Sequence, residues 1–141
     1  MALNREPVHG IWLITDRAAG QRLGTLLLKS IPASGPALPL EPSGETEIGW
    51  HLHPDAWGHG HASEAAGRVL DHAFAEGLTR VVAVTNPDNH ASRRVARRIG
   101  MAHRGTTERF YNATCELFVA ERGRAAARAD EAPGPDEVTL T

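Results

Sequence analysis

At 141 residues, 41% of them hydrophobic and 23% charged, the chain has the make-up of one globular domain with room for a sizeable core. A net charge of −2 argues against nucleic acid or an anionic membrane as partner, both of which call for a basic surface. The lone cysteine, Cys115, leaves no disulfide to form within the chain, and no run approaches the roughly 18 apolar residues of a membrane span, so the expectation is a cytoplasmic protein.

In chain order, residues 1–9 form a short lead. Residues 10–16 (GIWLITD) and 23–31 (LGTLLLKSI) are rich in β-formers and read as a hairpin with Gly20 at its turn. Residues 32–44 are crowded with Pro, Gly and Ser and read as a loop. Over 45–54 the pattern alternates, with Ile48, Trp50 and Leu52 on one face and Glu47, Gly49, His51 and His53 on the other, until Pro54 ends the strand.

Helix periodicity then takes over. Ala62, Ala65, Ala66, Val69, Leu70, Ala73 and Phe74 fall on one face, and Gly77 closes the helix. Residues 79–85 (TRVVAVT) predict a buried strand parallel to its predecessor. After the turn at 86–89 comes a second helix, with Ala91, Val95, Ala96 and Ile99 inward and Gly100 as its stop. Residues 101–108 and 114–122 read as two last strands, the second carrying Cys115 into the core. The tail 123–141 is poor in apolar bulk and is expected to be disordered. The order β-β-β-α-β-α-β-β predicts an α/β (α+β) domain over 10–122, a mixed sheet with helices on its faces.

The chemistry gathers between the third strand and the first helix, at Trp57-Gly58-His59-Gly60-His61-Ala62-Ser63. Glycines at a helix mouth let the backbone approach a ligand, and the first N–H groups of the helix favour an anion. A tight turn is the plain alternative. Neither a P-loop nor a complete dinucleotide fingerprint is present. His51 and His53 share a strand face near His59 and His61, but a metal site needs three or four ligands and nothing completes the set, so no metal is expected. Arg93, Arg94, Arg97 and Arg98 give the second helix a basic face, which reads as solvated or as a phosphate contact.

The glycine segment, with Asn89-His90-Ala91-Ser92 and the later Gly100-Met101, resembles the signatures of the GNAT superfamily of acyl-CoA N-acyltransferases, in the branch that acetylates ribosomal-protein N-termini. The likeness runs over about residues 10–122 and implies a GNAT-like, mostly antiparallel mixed sheet. It implies acetyl-CoA as acyl donor and an amine as acceptor, a protein N-terminus or a small molecule. The pyrophosphate would lie on the backbone of Gly58, His59, Gly60, His61, Ala62 and Ser63, and the pantetheine beside Leu52 and His53. Asn89 and Ser92 would stand near the thioester, and the N–H of His53 or a neighbour would meet its carbonyl.

An ammonium acceptor must shed a proton, and Glu47, on the His51 and His53 face, is the candidate base; a plain solvated residue is its other reading. The family's usual acid is a tyrosine in the second helix, where this chain has Ala96. Ser92, or Tyr111 in the stretch RFYN, takes its place. Trp57 stands where the family has Gln or Arg. The family also begins with a strand and two helices that help wall the acceptor site, ahead of the hairpin. Here the expectation is an N-terminally shortened domain or a homodimer partner supplying that wall. An acyl-CoA-binding module without transferase activity is the alternative function.

Overall fold

The computed structural model describes residues 9–16, 20–54, 58 and 60–123, with the backbone of 137–140. Its strands are β1 (Gly10–Asp16), β2 (Arg22–Pro32), β3 (Pro42–Leu52), β4 (Arg80–Thr85), β5 (Ala102–Phe110), β6 (Ala113–Glu121) and β7 (Glu137–Leu140). The helices are α1 (His61–Ala75) and α2 (His90–Arg98). One seven-stranded sheet runs β5-β6-β4-β3-β2-β1-β7. Pairing is antiparallel except for β3 with β4 and β1 with β7. The expected mixed, mostly antiparallel sheet is therefore the architecture.

Three details differ from the sequence expectation. The Pro-rich stretch gives Pro32 to β2 and residues 42–44 to β3, leaving 33–41 as the loop. Within the tail expected to be disordered, Glu137–Leu140 forms β7 beside β1; Val138 and Thr139 are β-formers hidden in a polar context. Both described helices also lie on one face. Each belongs to a crossover between parallel strands that moves the same way along the sheet, from β3 to β4 and from β4 to β5. Right-handed connections then put both helices on the same side.

The main core lies under those helices. Trp12, Ile14, Leu26, Leu28, Ile48, Val81, Ala83 and Phe118 point up from the sheet to meet Val69, Leu70 and Phe74 of α1 and Ala96 and Ile99 of α2. All seven residues of the α1 periodic face are buried, and each large one contributes about 1.5–3 kcal/mol by leaving water. Gly77, at φ 108, lets the chain turn back so that the Leu78 N–H caps the Ala73 carbonyl at 3.0 Å. On the other face Ile31, Val82, Phe110, Leu117 and Val119 form a smaller cluster. Cys115 is buried, as its strand position predicts. Ala91 is exposed rather than inward, because the first turn of α2 overhangs a cleft instead of the core.

Candidate active site

The cleft opens where β3 and β4 part. Their ladder registers at one pair, Glu47 with Val82. Beyond it the carboxyl ends of the two parallel strands form opposite walls, the position at which α/β sheets place ligands. Two cavities meet in this opening. One of about 800 Å³ lies on the helix side, between the N-termini of α1 and α2. The other, about 390 Å³, reaches Glu47, Lys29 and Tyr111 on the opposite side of the sheet. Trp50, His51, Asn89 and Ser92 line both, so they stand at the junction.

The helix-side cavity is lined by Leu52 at the end of β3, by Gly58, Gly60, His61, Ala62 and Ser63 of the glycine segment, and by Asn89, Ser92, Arg94 and Arg98 from α2 and its lead. The two helix starts differ in how they are capped. The Asn89 side chain accepts the Ser92 N–H at 3.0 Å, so α2 closes its own N-terminus. The cap of α1 is Gly60, in the left-handed region at φ 76, and no side chain caps it. The residues of its first turn, His61, Ala62 and Ser63, border the cavity. Trp57 and His59 lie outside the described residues.

The His53 N–H points away from the opening. It donates to the Leu23 carbonyl at 2.7 Å, on the β2 side, and His53 lines neither cavity. Alternate residues of an antiparallel strand turn both backbone groups to the same neighbour, so Trp50 and Leu52 present theirs toward the opening. The Trp50 indole N–H also donates to the Ser92 hydroxyl at 3.2 Å, tying β3 to α2 across the junction.

Glu47 is not a solvated strand residue. It is 7% exposed, and the Tyr111 hydroxyl donates to its carboxylate. Lys29 Nζ stands 3.8 Å from the same oxygen and 5.2 Å over the Tyr111 ring. Burial pushes the Glu47 carboxyl above its ordinary value, against the Tyr111 hydrogen bond and the Lys29 charge, which pull it down. Burial and the neighbouring Glu47 push the Tyr111 phenol well up. Burial, and then Glu47, raise the Cys115 thiol. A carboxylate with a raised pKa, hydrogen-bonded inside a cleft, is a stronger base than a solvated one.

Ser92 and Tyr111, the two candidate acids, thus sit at different points, Ser92 at the junction and Tyr111 on Glu47. Sequence reading missed Lys29 and Trp50 as site residues. Lys29 had a signal, since in the β2–β3 register it is directly opposite Glu47. Trp50 had none, because its role depends on where α2 lands. The four arginines of α2 separate: Arg94 and Arg98 line the cavity, Arg97 is exposed and lines neither cavity, and Arg93 donates to the Pro87 carbonyl at 3.1 Å and lies 3.9 Å from Glu116. Among the described residues no three His, Cys, Asp or Glu side chains group to hold a metal ion, and no helix is long and apolar enough to cross a membrane.

The model of the acetyltransferase (GNAT) domain matches residues 1–102. The chain is 43% identical over 60 residues to an uncharacterized N-acetyltransferase, YnaD, of Bacillus subtilis (strain 168), covering 42% of this chain and 35% of that one. It is 33% identical over 107 residues to the FsC-acetyl coenzyme A-N(2)-transacetylase of Aspergillus fumigatus, covering 75% and 43%. Among solved structures it resembles Mycobacterium smegmatis RimJ in complex with CoA-disulfide, at TM-score 0.59 and 26% identity, covering 78% of this chain and 54% of that one. The chain thus spans between a third and just over half of the length of these relatives.

Proposed function

The chain belongs to the GNAT acetyltransferase family, and from that premise we propose that it transfers an acetyl group from acetyl-CoA directly to a primary amine, on a protein N-terminus or a small molecule. The observation that carries this reading is the through-sheet cleft, with the Gly60-headed start of α1 at one end and a buried, hydrogen-bonded carboxylate at the other.

In this reading the pyrophosphate lies on the N–H groups at the start of α1, with the Ser63 hydroxyl as a further donor. The uncapped Gly60 supports it, since a side-chain cap would compete for the same donors. Arg94 and Arg98 offer guanidinium groups to the remaining phosphate. The pantetheine runs along β3 at Trp50 and Leu52 like an added strand, toward Asn89 and Ser92. The amine enters from the Glu47 side. Glu47 accepts its proton, the amine nitrogen bonds to the thioester carbon, and the carbon–sulfur bond breaks. The attacking nitrogen sheds its second proton as the amide forms, and the Ser92 hydroxyl, at the junction, relays that proton to the leaving thiolate, taking one up as it gives one away.

Calorimetry with acetyl-CoA is expected to show binding to the native chain, and Gly60→Val to abolish it, because a β-branched residue is strained at φ 76 and its side chain would project at the cradle. Release of free CoA thiol with a panel of amines then distinguishes a transferase from an acyl-CoA-binding module. No binding by the native chain would overturn both readings.

A further inference from the structure

Tyr111 and Asn112 are the two central residues of the turn joining β5 to β6, and both have positive φ, 60 and 53. Two-residue hairpin turns of this kind favour Asn and Gly, and a tyrosine there is uncommon. A strained, bulky residue is kept only where its surroundings over-determine it. Here the surroundings are the segment just after β2. The Tyr111 N–H donates to the Pro32 carbonyl at 3.3 Å and the Ser34 N–H to the Arg109 carbonyl at 2.8 Å. The Ser34 hydroxyl donates to the Glu108 carbonyl at 2.6 Å and accepts the Asn112 N–H at 3.0 Å. The Asn112 side-chain oxygen accepts the Gly35 N–H at 2.8 Å. A bridge between Ala33 and Phe110 completes the contact.

These bonds end at a conformation that sets the Tyr111 hydroxyl on the Glu47 carboxylate and its ring under Lys29. We propose that Ser34 and Asn112 are positioning residues that latch the β5–β6 turn and so hold the Tyr111 phenol on Glu47. As a statement about catalysis it rests on the transferase reading; as a statement about the Tyr111–Glu47 contact it does not. Glu47 on β3, Lys29 on β2 and Cys115 on β6 are the titratable groups facing Tyr111, and His51 lines the same cavity. Release of the latch removes a hydrogen bond that stabilises ionised Glu47 and takes the phenol away from a negative neighbour. The phenol then becomes more acidic and the carboxyl less so.

Tyr111 is the chain's single tyrosine, so its titration can be read directly. The full chain is made with 3-fluorotyrosine, whose more acidic phenol brings the titration into a usable range, and followed by fluorine NMR. The native latch is expected to hold the phenol midpoint above that of free fluorotyrosine. Ser34→Ala and Asn112→Gly, the second keeping the left-handed conformation accessible, are each expected to lower it by roughly one pH unit. Glu47→Gln gives the reference for a phenol without the charge. Circular dichroism establishes that each variant is folded, and either variant suffices if the other unfolds. A midpoint unmoved in a folded latch variant overturns the proposal. Acetyl transfer is not read, so failure of the transferase reading leaves this result intact. If the chain is active, the same variants move the acid limb of kcat/KM to higher pH with acetyl-CoA affinity unchanged, which a purely structural role would not do.

Discussion

At Glu47, burial and hydrogen bonding pull in opposite directions, and their balance decides what the residue can do. A fully buried carboxyl would stay protonated, and one held by several donors would be too weak a base. Glu47 keeps one hydroxyl donor and one ammonium at the edge of contact distance, and burial outweighs them. Its pKa is raised, so the proposed base is present above that raised value and lost as pH falls through it. Glu47→Gln is expected to lower kcat/KM by roughly 10²–10⁴-fold and to flatten the acid limb, with acetyl-CoA affinity unchanged by calorimetry. Tyr111→Phe removes a donor to the ionised form, so Glu47 rises further and the limb moves to higher pH. A retained acid limb in Glu47→Gln would assign the base elsewhere. The alternation over 45–54 was enough to put Glu47 on the face of His51. Nothing local to it tells that Tyr111 arrives from 64 residues away.

Among the elements, α2 carries the most divided assignment. One side holds Asn89, Ser92, Arg94 and Arg98 at the cleft, while Arg93 reaches behind to the Pro87 carbonyl and toward Glu116 on β6. Glu116 also accepts the Thr106 hydroxyl at 2.7 Å and lies 2.6 Å from His103 Nε2, so one carboxylate ties β5, β6 and α2 together. The Thr106 and His103 hydrogen bonds hold its pKa below the ordinary 4.5. A depressed carboxylate stabilises the fold above its unfolded value and stops doing so as pH falls through its folded value. Denaturation midpoints of the native chain are therefore expected to drop with acidification below about 4.5, and those of Glu116→Gln to drop less over that window. Equal acid sensitivity of the two proteins would remove Glu116 from this role. The helices and strands were legible because period and stop signals agree: the Ala62–Phe74 face, Gly77 and Gly100. The sorting of the four arginines was not. A basic helix face reads the same whether its far side meets a cavity, a carbonyl or water, and only packing against β4 and β5 separates them.

For the molecule as a whole, the sheet is two blocks, β7-β1-β2-β3 and β4-β6-β5, joined by one bridging pair and by the core beneath α1 and α2. Two parallel strands that part beyond one ladder pair give up sheet hydrogen bonds between them, and a fold keeps such an opening where other partners, a ligand or close packing compensate. Here the opening leads into the cavity rather than being filled by side chains. A ligand that hydrogen-bonds to β3 on one wall and meets Asn89 and Ser92 on the other would join the blocks. Acetyl-CoA at about 100 times its dissociation constant is then expected to stabilise the fold by about 2.7 kcal/mol, a rise in Tm of about 10 °C for a domain of this size. Gly60→Val should lose that rise. The place of the gain distinguishes this account from binding elsewhere on the surface. Hydrogen exchange should slow most at the amides of Trp50 and Leu52 and in the first turn of α1. A thermal shift with protection spread evenly over the sheet, or confined to the β5 edge, would show that the opening between β3 and β4 is not where the cofactor lies.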